Sequence, residues 1–517
     1  MSKNPLILTI DYGTQSCRVS LFNKKGDVIA LEKEIYDPVY FSKKPGYAEQ
    51  DPDSYYASFT KAAKRLCDGH KDLIKDVIGV VQTCFRDSAV MLDKDLKVVR
   101  PMVLWLDQRF AKCDYKMPLF NETVCRLIGM YDVLNMNRKR TVANWMKENE
   151  KENWDKTAKY VPVSAYFNYK MTGELSDSSA SIPGHYPMDF KHRTWYKNVK
   201  THFQACIFGI RQDQLCKITP EGEIIGYISK KTYEETGIPA GLPLYATGSD
   251  KSCETLGQGI IDDKKASISL GTASTIETTI RKFKTHDGFF PSYPSCLPGY
   301  FNMDVQVYRG FWMINWFLKE FGAVQIDDLV TNEVNADKFN AQLKDVPAGS
   351  DGLILQPYWG SMLERPLVKG AMVGFTDATT RNHVYRALIE GIFYCLREAG
   401  EGFEKKLKTK FNEIRISGGG AKSDEICQIC SDVFGIEVKR VQTNEASSLG
   451  AAIAGFVATK EFSNPKEAVA SMVRVVDTFK PNMENHAVYD HYFYDVYKKL
   501  YPSLKKTYAA IWKSTRR

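Results

Sequence analysis

The sequence predicts an α/β protein built as two similar halves that face one another. Three observations carry that expectation. The first is length: 517 residues, at roughly 150 per domain, make more than one folding unit. The second is a repeated element. Asp11-Tyr12-Gly13-Thr14-Gln15-Ser16 follows an apolar run at 6–10, and half a chain later Ser269-Leu270-Gly271-Thr272-Ala273-Ser274 precedes another β-like run. Both read as strand, tight Gly-Thr turn, strand, and a repeat at half-length marks two similarly built units. The third is the alternation of strand-like with helix-like stretches, the mark of α/β architecture.

The elements follow in order. Val77-Ile78-Gly79-Val80-Val81 is a short apolar run suited to a buried strand, and Val103-Leu104-Trp105-Leu106 is another. Leu388, Ile392 and Leu396 stand four apart, which predicts a helix over 385–396. Ile414-Arg415-Ile416-Ser417 predicts a strand that runs through Gly418-Gly419-Gly420 into a helix from about Ser423. Gly248, Gly257 and Gly259 cluster mid-chain, and the domain boundary is drawn there, giving 1–253 and 254–517.

Composition narrows the class. With 44% hydrophobic and 26% charged residues, the chain can bury a large core without disulfides or metals. That excludes a disordered chain, a coiled coil and a cysteine-stapled mini-domain. A net charge of +8 is mild at this length; it suits an anionic small molecule and demands no nucleic acid. The basic cluster Lys505, Lys506, Lys513, Arg516 and Arg517 reads as solvated helix and tail. The twelve cysteines are scattered, and the lone Cys427/Cys430 pair lacks a second ligand pair, so buried helical thiols are expected. Residues 1–5 carry no leader pattern and no long uncharged apolar stretch follows. The expected setting is cytoplasmic, with reduced thiols and no membrane partner.

Six segments can carry chemistry. At Asp11-Tyr12-Gly13-Thr14-Gln15-Ser16 the carboxylate can hold a magnesium ion while the turn's N–H groups face a phosphate, although alone the motif is also a plain β-turn. Gly271-Thr272 would grip the same phosphates from the other side. Asp250, after Gly248-Ser249, is either a helix N-cap or a general base that takes a proton from an attacking hydroxyl. Arg86-Asp87 either forms a surface ion pair or grips several hydroxyls, because Arg donates and Asp accepts. Trp105-Leu106-Asp107-Gln108-Arg109 is a core Trp with a charged loop, or an aromatic wall beside polar groups that suits a sugar. Gly418-Gly419-Gly420-Ala421-Lys422-Ser423-Asp424 lets a base or phosphate approach the backbone at a helix start, or is a glycine-rich turn. No Gly-Lys dipeptide occurs, which excludes a Walker P-loop, and the glycines do not complete a dinucleotide fingerprint.

Together these segments resemble the FGGY carbohydrate kinases, over about residues 6–460. The strongest local match is Gly370-Ala371-Met372-Val373-Gly374-Phe375 followed, seven residues later, by His383-Val384-Tyr385-Arg386-Ala387-Leu388-Ile389-Glu390; Phe375 stands where a smaller aliphatic residue is usual. Around Asn144-Trp145-Met146 a second signature is degraded, with Val142 where a lysine is expected. The resemblance implies two actin-like (ribonuclease H-like) ATPase domains with an interdomain cleft. It implies ATP and magnesium as cofactors, Asp11 as the metal-associated acid and Asp250 as catalytic base and substrate contact. Gly13, Thr14, Gln15, Arg18, Gly271, Thr272, Gly419, Gly420 and Asp424 are then the nucleotide and phosphate group. Arg86, Asp87, Trp105 and Asp107 fall where substrate hydroxyls are held. Residues 445–452 resemble a late helix start near the nucleotide and read as a packed small-residue helix, not a catalytic one.

The expected reaction is γ-phosphoryl transfer to a sugar or polyol hydroxyl. A ketopentose such as xylulose comes first, since Phe289-Phe290-Pro291-Ser292-Tyr293-Pro294 with Tyr300 and Phe301 is aromatic-rich; glycerol, another polyol or a sugar acid are the alternatives. An actin- or chaperone-like ATPase, or a sugar-sensing protein without catalysis, would share the hairpins. The former would not need Arg86-Asp87, Trp105 and Asp250 gathered together, and intact Asp11 and Asp250 argue against the latter. The expected partner is the small-molecule substrate, with a homodimer left open.

Overall fold

The computed structural model describes residues 4–113, 119–127, 130–202, 204–286, 290–322, 336–359, 365 and 367–515. Phe289, Arg516 and Arg517, named above, lie outside the described residues. The first large sheet comprises β1 (Leu6–Tyr12), β2 (Ser16–Phe22), β3 (Val28–Ile35), β4 (Val77–Cys84), β5 (Ile224–Tyr227) and β6 (Pro243–Tyr245), in the order β5-β6-β4-β1-β2-β3. β1, β2 and β3 run antiparallel, while β4 joins β1 and β6 joins β4 in parallel.

The second sheet comprises β7 (Lys265–Leu270), β8 (Ser274–Ile280), β9 (Tyr293–Pro294), β10 (Phe301–Val307), β11 (Glu413–Ser417), β12 (Val438–Val441) and β13 (Val475–Phe479). Its order is β9-β10-β8-β7-β11-β12-β13. β7, β8 and β10 run antiparallel, and β11 and β12 add to β7 in parallel. Edge strands aside, the two sheets share one plan. The repeated hairpin is the visible part of a repeated sheet.

The strands read as near-continuous apolar runs because both faces are covered. Along β1, Leu8, Ile10 and Tyr12 join the core that holds Phe59 and Leu66 of α1 (Pro52–Gly69). Ile7 points the other way, into a cluster with Leu449, Ile453 and Phe456. Those three belong to α6 (Ala446–Ala458), which follows the second sheet in sequence but packs on the first. An earlier helix reaches across by hydrogen bonds, although its Cys253 and Leu256 stay in this same cluster. α2 (Asp250–Gly257) follows β6 yet bonds to the second sheet, with Thr255 Oγ1 donating to Glu277 Oε2 at 2.9 Å and Lys251 Nζ to Ser269 Oγ at 2.8 Å.

The two helices cross at paired glycines. A methyl group on Gly257 would stand 1.9 Å from the Ala446 carbonyl oxygen, and one on Gly450 would stand 1.7 Å from that of Cys253. Only glycine lets these backbones come so close. The cut expected between residues 253 and 254 falls inside α2; we propose the loop between Gly257 and Lys265 as the division.

Between these elements run α3 (Trp312–Phe321), α4 (Arg381–Leu407) and α5 (Asp424–Phe434). α4 is the helix read at 385–396, longer at both ends. α5 is capped by Ser423, whose hydroxyl accepts the Ile426 N–H at 3.3 Å, and it buries both Cys427 and Cys430. Burial pushes the Cys427 thiol up to about 12. The strand read at 103–106 is shorter, Met102–Val103, because Trp105 turns away to donate its backbone N–H to Ser88 Oγ at 3.0 Å. No helix among the described residues is long and apolar enough to cross a membrane.

The crossing makes a test. Gly257→Ala and Gly450→Ala each force the helix backbones apart, at an expected cost of about 1–3 kcal/mol. Both should lower the thermal unfolding midpoint of the protein, whereas Gly173→Ala, at a helix end where a methyl meets nothing within 4 Å, carries only a local backbone penalty.

Candidate functional site

In open α/β sheets, ligands gather beyond the C-terminal ends of parallel strands. Each sheet here presents three such ends to the cleft. β1 ends at Asp11-Tyr12, β4 runs into Arg86-Asp87 and β6 into Gly248-Ser249-Asp250. Opposite them, β7 ends at Gly271-Thr272, β11 at Gly418-Gly419-Gly420, and β12 leads to Glu445. Two cavities occupy the cleft. One, of about 600 Å³, is lined by Arg86, Asp87, Trp105, Asp250 and Asp304 among others. The other, of about 910 Å³, is lined by Gly13, Gln15, Arg18, Gly419, Gly420 and Asp424 among others. Thr14, Gly271 and Thr272 line both, so the two hairpins form the neck between them.

Asp250 stands at the first position of α2, and the N-cap is its neighbour: Ser249 Oγ accepts the Ser252 N–H at 3.5 Å. The Asp250 carboxylate is therefore not spent on capping; it accepts the Lys251 N–H at 2.7 Å. Burial raises its pKa, while Lys251 and Arg86 pull it back. Lys251 is itself held by Glu254 Oε2 at 2.7 Å and by Ser269 Oγ.

Around the smaller cavity, Arg86 Nη2 bonds Asp304 Oδ2 from the opposite sheet and lies 3.5 Å from Gln306 Oε1. Asp87 adopts φ +60°, a left-handed backbone that turns its carboxylate onto His185. The His185 N–H donates to Oδ1 at 2.9 Å, and Nδ1 lies 3.0 and 2.9 Å from the two carboxylate oxygens. Trp105 Nε1 donates to Thr14 Oγ1 at 3.1 Å, tying this wall to the neck.

Asp107 is a correction. It lines neither cavity, because its carboxylate is gripped from both sides by Arg109 at 2.7 and 2.8 Å and accepts the Ala48 N–H at 2.7 Å. Arg109 is sandwiched between the Tyr47 and Trp145 rings, at 4.0 and 4.5 Å, so the charged loop braces the fold. Of the aromatic stretch, Phe290 and Tyr293 line the cavity, and Tyr293 lies 5.7 Å beneath Arg86. Tyr300 and Phe301 line neither cavity; they stack under Arg281 and Arg193.

On the wider side, each hairpin closes with one backbone bond, Gly13 N–H to Ser16 O at 3.0 Å and Gly271 N–H to Ala273 O at 3.1 Å. α3 starts on the second hairpin, where the Phe311 N–H donates to Gly271 O. Gly418 sits at φ +90°, and Gly419 faces open space. The Asp424 carboxylate is exposed and pairs with Arg440 at 2.7 Å.

Asp11 lies behind the neck, buried, and lines neither cavity. Burial raises its pKa to about 7. Arg18 opposes that shift from 3.6 Å, but its Nε is committed to Glu445 at 3.0 Å, and Glu445, Asp250 and Glu254 push Asp11 up further. An under-compensated acid beside other carboxylates fits a divalent cation. Among the described residues no three such side chains converge into a self-sufficient metal site, so the remaining ligands would be phosphate and water oxygens.

His185, Lys251, Asp304 and Gln306 were not singled out by sequence reasoning, and Glu445 was read only as the start of a packed helix near the nucleotide. A signal existed for two of them: Asn302, Asp304 and Gln306 alternate with Met303, Val305 and Val307 along a largely buried strand. A polar stripe inside a core strand asks for a reason.

A cleft divided in this way, two chambers joined by a phosphate-sized neck with a buried aspartate on one side, is built for group transfer between two bound ligands. The N-terminal domain of the FGGY family of carbohydrate kinases matches residues 6–257 and the C-terminal domain matches 266–459. The chain belongs to this family of sugar-phosphorylating enzymes. It is 27% identical to the uncharacterized sugar kinase YgcE of Escherichia coli K12, over 98% of this chain and 96% of that protein. It is 26% identical to the xylulose kinase of Bacillus subtilis 168, over 98% of both. The ligand-bound xylulose kinase of Lactobacillus acidophilus superposes with a TM-score of 0.81 at 21% identity, over 98% of this chain and 100% of that one, and shares the fold.

The buried acid also makes a stability test. With its folded pKa raised to about 7 from an ordinary 3.8, Asp11 holds a proton in the native state that the unfolded chain has released, so stability falls as pH climbs between those values. Without nucleotide or divalent cation, Asp11→Asn is expected to be more stable than wild type at pH 8, with the advantage fading toward pH 4. Thermal unfolding across pH checks this; equal midpoints at pH 8 would contradict the raised value.

Proposed function

We propose that the protein transfers the γ-phosphoryl group of ATP to a primary hydroxyl of a neutral ketose or polyol, with a ketopentose such as xylulose first. The observation that supports this most directly is the position of Asp250. It lines the same cavity as Arg86 and Asp87 and as Gly271 and Thr272 of the neck. An alcohol held by Arg86 and Asp87 would thus lie between a base and the phosphates. The name carried by the Bacillus subtilis relative points to the same acceptor class.

In this reading the hydroxyl oxygen attacks the terminal phosphorus, its proton passes to Asp250, and ADP leaves with the electron pair of the broken bond. The hairpin N–H groups face the phosphoryl oxygens. Magnesium, held on the Asp11 side, would supply neutralisation of phosphate charge. Closure of the cleft over bound ligands would keep water from competing for the phosphorus. We infer a cytoplasmic setting, which suits twelve cysteines that form no disulfide, most of them buried.

A sugar acid is the weaker alternative. Asp87, Asp250 and Asp304 all line the acceptor cavity, and its buried cations Arg86 and Lys251 already have carboxylate partners.

The experiment is an ADP-release assay with ATP, magnesium and a panel of ketoses, polyols and aldonates. Stimulation by a neutral sugar supports the reading; hydrolysis indifferent to sugar supports a conformational ATPase instead. Asp250→Asn is expected to keep near-normal ATP and sugar binding while losing about 10²-fold or more in turnover. Near-normal turnover in that variant rejects the base.

A further inference from the structure

We propose that Asp304 sets the substrate class of this site: by neutralising Arg86 from the opposite sheet, it fits the cavity to neutral hydroxyl-bearing substrates and turns sugar acids away. The proposal rests on the sugar-kinase reading above. An arginine facing a cavity is ordinarily the partner of choice for a carboxylate, because its forked N–H groups match both oxygens. Here that partner is built in. Asp304 Oδ2 bonds Arg86 Nη2, and Gln306 Oε1 lies 3.5 Å from the same nitrogen.

The placement of Asp304 is costly for a merely structural residue. Its side chain is 4% exposed, on a strand whose neighbours Met303 and Val305 are core residues. Buried carboxylates are expensive unless fully paired. Its second oxygen, Oδ1, has no hydrogen-bond partner among the described residues. Its cross-strand neighbour Glu277 is driven toward the neutral form, by burial first and then by Asp304 itself. Asp304 therefore meets Arg86 directly, with one acceptor oxygen unspent.

The other charges around the cavity point the same way. Lys251 is taken by Glu254 and Ser269. Lys191 and His192 also line the cavity, but both are exposed, and His192 pairs with Asp189 at 2.7 Å. A carboxylate entering the chamber would meet Asp87, Asp250 and Asp304, while, among the described residues, the chamber's buried cations Arg86 and Lys251 already have carboxylate partners. A neutral polyol can donate a hydroxyl to Asp304 and accept from the remaining Arg86 N–H groups.

The test compares kcat/KM for xylulose, ribulose and glycerol with that for gluconate and other aldonates. The variants are Asp304→Asn, the double variant Arg86→Met/Asp304→Asn, and Gln306→Lys. Wild type should favour a neutral substrate. Asp304→Asn should lose about 10- to 100-fold on that substrate, mainly through KM, the range expected for a hydrogen bond to a charged group. It should gain at least about 10-fold on an aldonate, as Arg86 is released to bind it. The double variant should lose that gain, which a purely structural role for Asp304 does not predict.

Gln306→Lys leaves the acid in place and adds a cation on the same strand face, so it should also raise aldonate turnover; it carries the test if Asp304→Asn fails to fold. An Asp304→Asn enzyme that weakens both substrate classes alike, or a double variant that keeps the aldonate gain, overturns the assignment. If wild type phosphorylates aldonates and no neutral sugar, the neutral-substrate reading itself falls. If wild type phosphorylates a neutral sugar but neither single variant gains aldonate activity, only the role of Asp304 falls.

Discussion

The close crossing of α2 and α6 at Gly257 and Gly450 is the constraint on which the rest of the structure depends. α6 leaves the sheet whose strand precedes it and packs on the first, while α2 keeps Cys253 and Leu256 in that same cluster and reaches the second sheet by hydrogen bonds, so the two helices tie the halves together. α2 starts at Asp250 and reaches the crossing at Gly257, about 10 Å along a rigid helix. α6 carries Ser448, whose hydroxyl donates to Asp11 Oδ2 at 3.5 Å, two residues before its own glycine. Asp250 on one side and the buried Asp11 on the other are therefore referenced to the same contact. If the crossing opens, both move relative to the neck they serve.

Charge around that neck runs against stability. Asp11 and Glu277 are held in surroundings that favour their neutral forms, and Asp250 shifts the same way. Lys251 and Arg86 offset part of the cost through Glu254 and Asp304. A core chosen for stability alone would carry apolar residues at these positions. The arrangement agrees with the function proposed above, in which a polyphosphate with its cation would lie near Asp11 and a hydroxyl acceptor near Asp250 and Asp304. Binding energy then goes into satisfying groups the empty fold leaves short of partners, which favours the doubly bound state in which transfer occurs.

Much of this was legible in the sequence because the hairpins are local. Gly13-Thr14 and Gly271-Thr272 show as turns between apolar runs, and their half-chain spacing reveals the duplicated plan. Asp250 and Arg86-Asp87 lie where their strands end, so reading the strand also located the residue. Asp107 misled because its surroundings are not local: Arg109, two residues on, is held between Tyr47 and Trp145 from distant segments, and that stack claims the carboxylate. Asp304 and His185 were not legible for the same reason. Each gains its meaning from a partner a hundred or more residues away or nearly so, Arg86 for one and Asp87 for the other, and only the folded sheets bring them together.

The repeat is close in backbone but has diverged in charge, and the divergence gives the neck its direction. Counting back two residues from each turn glycine, Asp11 in the first half corresponds to Ser269 in the second. The first hairpin thus has a carboxylate behind it, with Arg18 leaning toward Glu445. The second has a hydroxyl that receives Lys251 from the helix bearing the base. A symmetric pair of acids would repel a phosphate chain from both sides, and a symmetric pair of lysines would hold it without room for a metal ion. One of each leaves an under-compensated acid behind the first hairpin and a lysine already paired with Glu254 behind the second, an asymmetry that agrees with the direction of transfer proposed above.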